Sequence, residues 1–215
     1  MKLKKISALL AAVVLTVGLA GCTTGGTNLP EGDVKLVNQE IQGVVELLLK
    51  ASNYGNDKST VASMSLPKDS EYNINLFMEK YSNGELVETK EIGNYTTDTI
   101  EKDSIIHIIL NTAKENDGEA DKSIYSIAEI DSENTKDSKN PEYKLTKYYG
   151  EAINFDSKSV LSKVGKSLDE EATLIGLVKF KDNDDEKASI NLDSYKDELG
   201  KYAEATIINV KVSKK

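Results

Sequence analysis

The sequence predicts a mainly β protein: an antiparallel β-sandwich of about eight strands, with one N-terminal helix and a short C-terminal helical turn. Three observations carry that prediction. From Glu71 onward, apolar and polar residues alternate at period two, the pattern of strands with one buried face. Turn signals such as Asn83-Gly84 separate the apolar runs at the spacing of sandwiches and barrels. No helical patterns of about 10–15 residues alternate with the strands, which disfavours a parallel α/β sheet.

Each element follows from its own residues. Thr23 to Asp33 is rich in Thr, Gly and Asn and contains Pro30, a flexible tether whose 11 residues span about 18 Å root mean square. Asp33 is a candidate N-cap for a helix over 34–52, because Val34, Val37, Ile41, Val44, Val45 and Leu48 recur at helical spacing. That apolar stripe either packs on its own domain or binds a partner. In Tyr72–Met78 the residues Tyr72, Ile74, Leu76 and Met78 share one face. Asn83-Gly84 then supplies a turn where positive φ costs little, and Glu85 to Ile92 returns as the second arm of a hairpin. Ser104 to Leu110 is nearly all apolar and reads as a central strand covered on both faces.

Ile124–Ile130 alternates, and Lys144–Tyr149 is a further strand. Thr173–Lys181 places Leu174, Val178 and Phe180 on one face, and Ala188–Leu192 is a short strand. Asp193–Gly200 is a helical turn with an acidic cap and a glycine stop. Ala205–Val212 is the last strand. Two polar stretches, Asn111–Lys122 and Asp131–Glu142, read as solvated connectors.

Address is written at the start of the chain. Lys2, Lys4 and Lys5 precede an apolar run from Ile6 to Ala20, the order of a secretory signal. The run is shorter than the roughly 20 apolar residues of a membrane-spanning helix, so it reads as a cleaved signal. Leu19-Ala20-Gly21-Cys22 resembles the lipobox of bacterial lipoproteins. The resemblance implies cleavage after Gly21 and a diacylglycerol on the sulfur of Cys22. Two acyl chains give stable anchoring where one is marginal, at about 0.8 kcal/mol for each buried methylene. Cys22 is the single cysteine, and lipidation accounts for a thiol that would otherwise be odd in an exported chain. The chain then divides into a signal peptide (1–21), a lipidated tether (22–33) and one extracytoplasmic domain (34–215), with the helix at 34–52 and the sandwich at 71–213.

Composition sets further bounds. Taking Lys2, Lys4 and Lys5 from the 27 Lys leaves 24 against 36 acids, a mature charge of −12. That balance excludes nucleic acid as a partner, since binding it needs a basic footprint. It also opposes contact with anionic headgroups, so the lipid would hold the domain to the membrane. The chain has no Arg, the residue best suited to bidentate phosphate or carboxylate recognition. The richness in Lys, Asn, Ile and Glu suggests an AT-rich, Gram-positive genome. The order of elements from Tyr81-Ser82-Asn83-Gly84 to the final strand resembles β-sandwich domains of Gram-positive surface lipoproteins, which supports the fold and implies no activity.

Candidate chemistry is sparse. His107 is the single histidine, between Ile106 and Ile108, and reads as a core or edge residue because catalysis or metal binding needs partners. Ser65-Leu66-Pro67-Lys68 has the Ser-x-x-Lys spacing of penicillin-interacting serine enzymes, but Pro67 breaks the helical turn that chemistry requires. Asp182, Asp184 and Glu186, in the run 182–186, are candidate Ca²⁺ ligands, since hard cations take clustered carboxylates. Lys187 stands where a Ca²⁺ loop needs Gly, and a solvated hairpin turn explains the run better. Asn94-Tyr95-Thr96 matches an N-glycosylation pattern. Tyr148-Tyr149-Gly150 is either a sugar-stacking platform or a strand with one Tyr in and one out. No catalytic residue and no cofactor beyond the lipid is assigned. The expected function is a membrane-anchored binding module whose partner is an envelope protein or a small ligand. The alternatives are an envelope hydrolase using carboxylate or Ser chemistry, or a structural component of an envelope complex.

Overall fold

A computed structural model describes residues 29–43, 46–47, 58–100, 105–116, 121–130, 143–181 and 188–215. Two antiparallel sheets enclose one core. The first has six strands: β1 (Val34–Gln39), β2 (Ser59–Ser65), β5 (Ile105–Asn116), β6 (Asp121–Ile130), β7 (Tyr143–Glu151) and β9 (Lys163–Lys166). Their order is β7-β6-β5-β2-β1-β9. The second has five: β3 (Tyr72–Ser82), β4 (Glu85–Thr96), β8 (Ser157–Val160), β10 (Glu171–Lys179) and β11 (Glu204–Lys214). Their order is β4-β3-β11-β10-β8. Inward residues of both sheets interdigitate: Leu36, Met64, Ile106, Ile108 and Ile127 from the first meet Ile74, Leu76, Leu174, Val210 and Val212 from the second. Removing each such side chain from water stabilises the fold by about 1.5–3 kcal/mol.

The hairpin signal is realised in full. Asn83 and Gly84 have φ of 49° and 90°, the pair of positive values a type I′ turn needs. The tip is docked, with Asn83 N–H donating to Ala203 O at 3.0 Å. Tyr72, Ile74, Leu76 and Met78 all face the core.

Several expectations are overturned. The expected helix does not begin at 34: Val34–Gln39 is β1, paired with β2 on one side and β9 on the other, the helical residues described in this stretch are 43, 46 and 47, and 44–45 and 48–52 lie outside the described residues. Val34 and Leu36 are buried at a spacing of two, so strand period beats the helical stripe through Val37 and Ile41. The sandwich accordingly begins at 34, ahead of 71, and has eleven strands among the described residues where eight were expected. Strands β8 and β9 are four residues each, too short to leave an alternating signature. The polar stretch 111–122 is mostly strand, with Glu115 facing Lys122 and Asn116 facing Asp121. β5 is not covered on both faces. Ile106, Ile108 and Leu110 are buried, whereas Ile105, His107 and Ile109 are half-buried on the outer side.

Residues 188–192 form no strand. Their alternation is used to pack instead: Ile190 and Leu192 lie over Gly176 of β10, where an added Cβ would stand 2.7 Å from Ile190 Cγ2 and 2.9 Å from Leu192 Cδ2. Side-chain bonds tether this segment across β8, from Ser159 Oγ to Ile190 O and between the hydroxyls of Ser157 and Ser189. β10 itself carries a bulge between Thr173 and Ile175, so its parity changes. Leu174 joins the main core while Val178, with Phe180, packs in a second cluster, not on one shared face. The C-terminal helical turn is present as α1 (Tyr195–Glu198), continued by a 3-10 turn at Leu199–Lys201. Its N-cap is Ser194, whose hydroxyl donates to Glu198 Oε1 at 3.3 Å rather than capping a backbone N–H, and Gly200 lies inside the 3-10 turn rather than stopping it.

Candidate functional site

The second cluster covers the outer face of the five-stranded sheet. Tyr81, Ile207, Ala205 and Val178 from the strands meet Ile190, Tyr195, Leu199 and Tyr202 from the segment above. Within this layer sits a carboxylate hub. Glu79 Oε2 accepts from the Tyr81 hydroxyl at 2.9 Å, the Tyr195 hydroxyl at 3.1 Å and Asn209 Nδ2 at 3.3 Å. The Tyr81 and Tyr195 rings meet edge to face at 6.5 Å, an arrangement that adds to burial. Burial and then the Glu79 charge push the Tyr195 hydroxyl up to about 12. Burial followed by the Glu79 hydrogen bond raises Tyr81 as well. Both phenols are thus held as neutral donors. The hub fastens α1 to β3 and β11 where capping is absent.

Beside the hub lies a groove of about 650 Å³ between residues 159–166 and 190–197, with Thr173 and Asn209 among its lining. Little in the sequence signals it, because Glu79 lies 116 positions from Tyr195 and 130 from Asn209 and the three belong to no motif. The helical turn expected over Asp193–Gly200 is the one sequence signal that pointed to this end of the sheet.

The residues singled out by sequence fall elsewhere. His107 pairs with Ser63 across β5 and β2, Ser63 Oγ lying 2.9 Å from His107 Nδ1. Burial lowers the imidazole below its ordinary 6.5, and among the described residues the ring's hydrogen-bond partner is the Ser63 hydroxyl. Ser65 ends β2 in extended backbone, and the Pro67 carbonyl accepts from the Tyr72 hydroxyl, so no Ser-x-x-Lys helical turn exists there. Asn94 is on β4, opposite Asn75. Tyr148 turns inward over Gly93, leaving 2.8 Å to a would-be Cβ there, while Tyr149 is 61% exposed; the pair is one in, one out. Cys22 and the Ca²⁺ candidates Asp182, Asp184 and Glu186 lie outside the described residues. Among the described residues no group of three His, Cys, Asp or Glu is placed to hold a metal ion. No helix among them is long and apolar enough to cross a membrane.

No protein-family model matches this chain, and neither a characterised protein nor a solved structure matches it.

Proposed function

We propose that this protein is a lipoprotein of the cell envelope, anchored through a diacylglycerol on Cys22, whose β-sandwich works as a binding module on the extracytoplasmic side. The observation that carries this is Leu19-Ala20-Gly21-Cys22 at the end of a basic, then apolar, leader. Two features of the domain support it. Its excess of acids opposes contact with anionic lipid, so the covalent lipid supplies the attachment. Among the described residues the Ser63–His107 pair is joined by no carboxylate, which favours binding over Ser-based hydrolysis. An envelope protein or a small ligand is the partner.

Cys22→Ser tests the anchor. The variant should keep a folded domain with an unchanged thermal midpoint, yet leave the membrane fraction for the soluble one. A variant that stays in the membrane fraction at wild-type level would mean a second anchor and would overturn the reading.

A further inference from the structure

The outer face of the six-stranded sheet is apolar and carries charge of one sign. Residues directly opposite one another on paired strands share a face, so one row across it runs Lys163, Val37, Ser63, His107, Ala128, Leu145. Neighbouring rows bring Val61, Ile109 and Lys147 to the same side, then Ile124 and Tyr149, and Lys35. Val37, Val61, Ile109 and Ile124 are half-buried, and Leu145 and Tyr149 are 43% and 61% exposed. Contiguous apolar surface of this kind marks an interaction site. No Asp or Glu stands in these rows among the described residues, although the chain has 36 acids. Glu151, further along β7, reaches across to Lys80 of β3. The outer face of the five-stranded sheet carries Glu79, Glu91 and Glu171 with Lys211.

The path of the chain points to the same face. Val164 packs on the core, so Gly165 faces outward. A Cβ on Gly165 would overlap Glu31 O and stand 3.2 Å from Pro30 Cβ, so residues 30–31 cross β9 on the outer side. From there the stretch back to Cys22 is seven residues, 22–28, a reach of about 25 Å at most. The surface that holds Cys22 therefore lies close to this face. The described part of the β1–β2 connection does not cover it, because Glu40, Ile41, Gln42 and Glu46 lie beside Lys158 and Val160 of β8, at the end of the sandwich between the sheets.

We propose that this face is the membrane-facing side of the anchored domain, with the lipid surface as its partner. Lys35, Lys147 and Lys163 turn toward anionic headgroups, and the acids of the five-stranded sheet point away. Lysines are drawn to an anionic lipid surface within about a Debye length, and a tyrosine suits the interface through its apolar ring and polar tip. The net negative charge still opposes adhesion of the domain as a whole, so the face sets orientation at the end of the tether and is no second anchor. This rests on the lipid anchor at Cys22.

The test uses the ¹⁵N-labelled protein purified from membranes, placed in nanodiscs of equal parts phosphatidylglycerol and phosphatidylcholine with gadolinium chelated on a fraction of the headgroups. Amide signals of Val61, Ile109 and Lys147 should be lost, and those of Asn75 and Lys211 should be retained. A second sample, the chain from Cys22 onward with its thiol coupled to a maleimide phospholipid, should give the same pattern. That sample supplies the anchor chemically, so it separates a wrong orientation from a failure of native lipidation. Lys35→Glu, Lys147→Glu and Lys163→Glu together should abolish the contrast between the faces. Salt at about 1 M should weaken it in the unaltered chain, which keeps the test decisive if the triple variant misfolds. Uniform signal loss, loss confined to the five-stranded sheet, or a contrast that both the triple variant and high salt leave unchanged would overturn the proposal. Protection of the face only in nanodiscs that hold two copies would assign it to a second copy of this chain and overturn it as well.

Discussion

Glu79 shows how a single carboxylate organises one end of the molecule. It stands on the outer face of β3 and collects three donors on one oxygen, which joins β3, β11 and α1. Charge-assisted bonds of this kind are stronger than neutral ones. His107 is the opposite case, a titratable group placed where its charge is unwelcome. Burial lowers its folded pKa below the ordinary 6.5, so the unfolded chain binds the proton more readily. Stability from this residue is therefore complete above pH 6.5 and is lost as pH falls from there through the folded value. Thermal midpoints taken at about pH 8 and about pH 5.5 should fall for the wild type and fall less for His107→Gln. Equal declines in the two proteins would show that His107 is not the titrating group. His107, with Ile105 and Ile109 on its own face, was legible from strand period alone. Its Ser63 partner was not, because that pairing is set by the register of β2 against β5, and nothing in Ser59–Ser65 announced a strand.

At the scale of elements, local chemistry predicted what tertiary packing left alone. Asn83-Gly84 specified the β3–β4 turn because positive φ at both positions is a local requirement. An added Cβ at Gly84 would also stand 3.1 Å from Gly200 Cα, where the hairpin tip meets the turn after α1. Gly84→Ala should cost about 1 kcal/mol or more from backbone strain, read from denaturant unfolding. A neutral result would mean that the tip is not docked on residues 199–203. The elements misread were those where packing overrode pattern. In β1, Val34, Val37 and Ile41 imitate a helix, but the edge of β2 on one side and of β9 on the other make a ladder available, and Leu36 becomes fully buried. In 188–192 the period-two alternation is real, yet Gly176 gives Ile190 and Leu192 a face to sit on, so the segment lies over the sheet rather than in it. The bulge at Thr173–Ile175 is invisible to any periodic rule because it changes the parity of β10 midway. The groove follows from these same departures: the shortness of β8, the course of 188–192 and the position of Asn209 opposite the bulge.

The described residues form a two-sheet sandwich with a covered outer face at one end, and the single cysteine, Cys22, precedes them in the sequence. Burial of inward aliphatic side chains from both sheets stabilises it without a disulfide. Its excess of acids sets it against anionic surfaces, while the proposed leader and lipid anchor at Cys22 would hold it at one. These are compatible if the attachment is a lipid on one sulfur, with the acidic domain held off the surface by the tether of residues 23–33. The most direct measurement is the intact mass of the protein extracted from membranes, with sequencing of its first proteolytic peptide. The chain should begin at Cys22 and carry the added mass of a diacylglycerol on that residue. A protein that retains residues 1–21, or whose Cys22 is unmodified, would contradict the anchor and with it the assignment to the envelope surface.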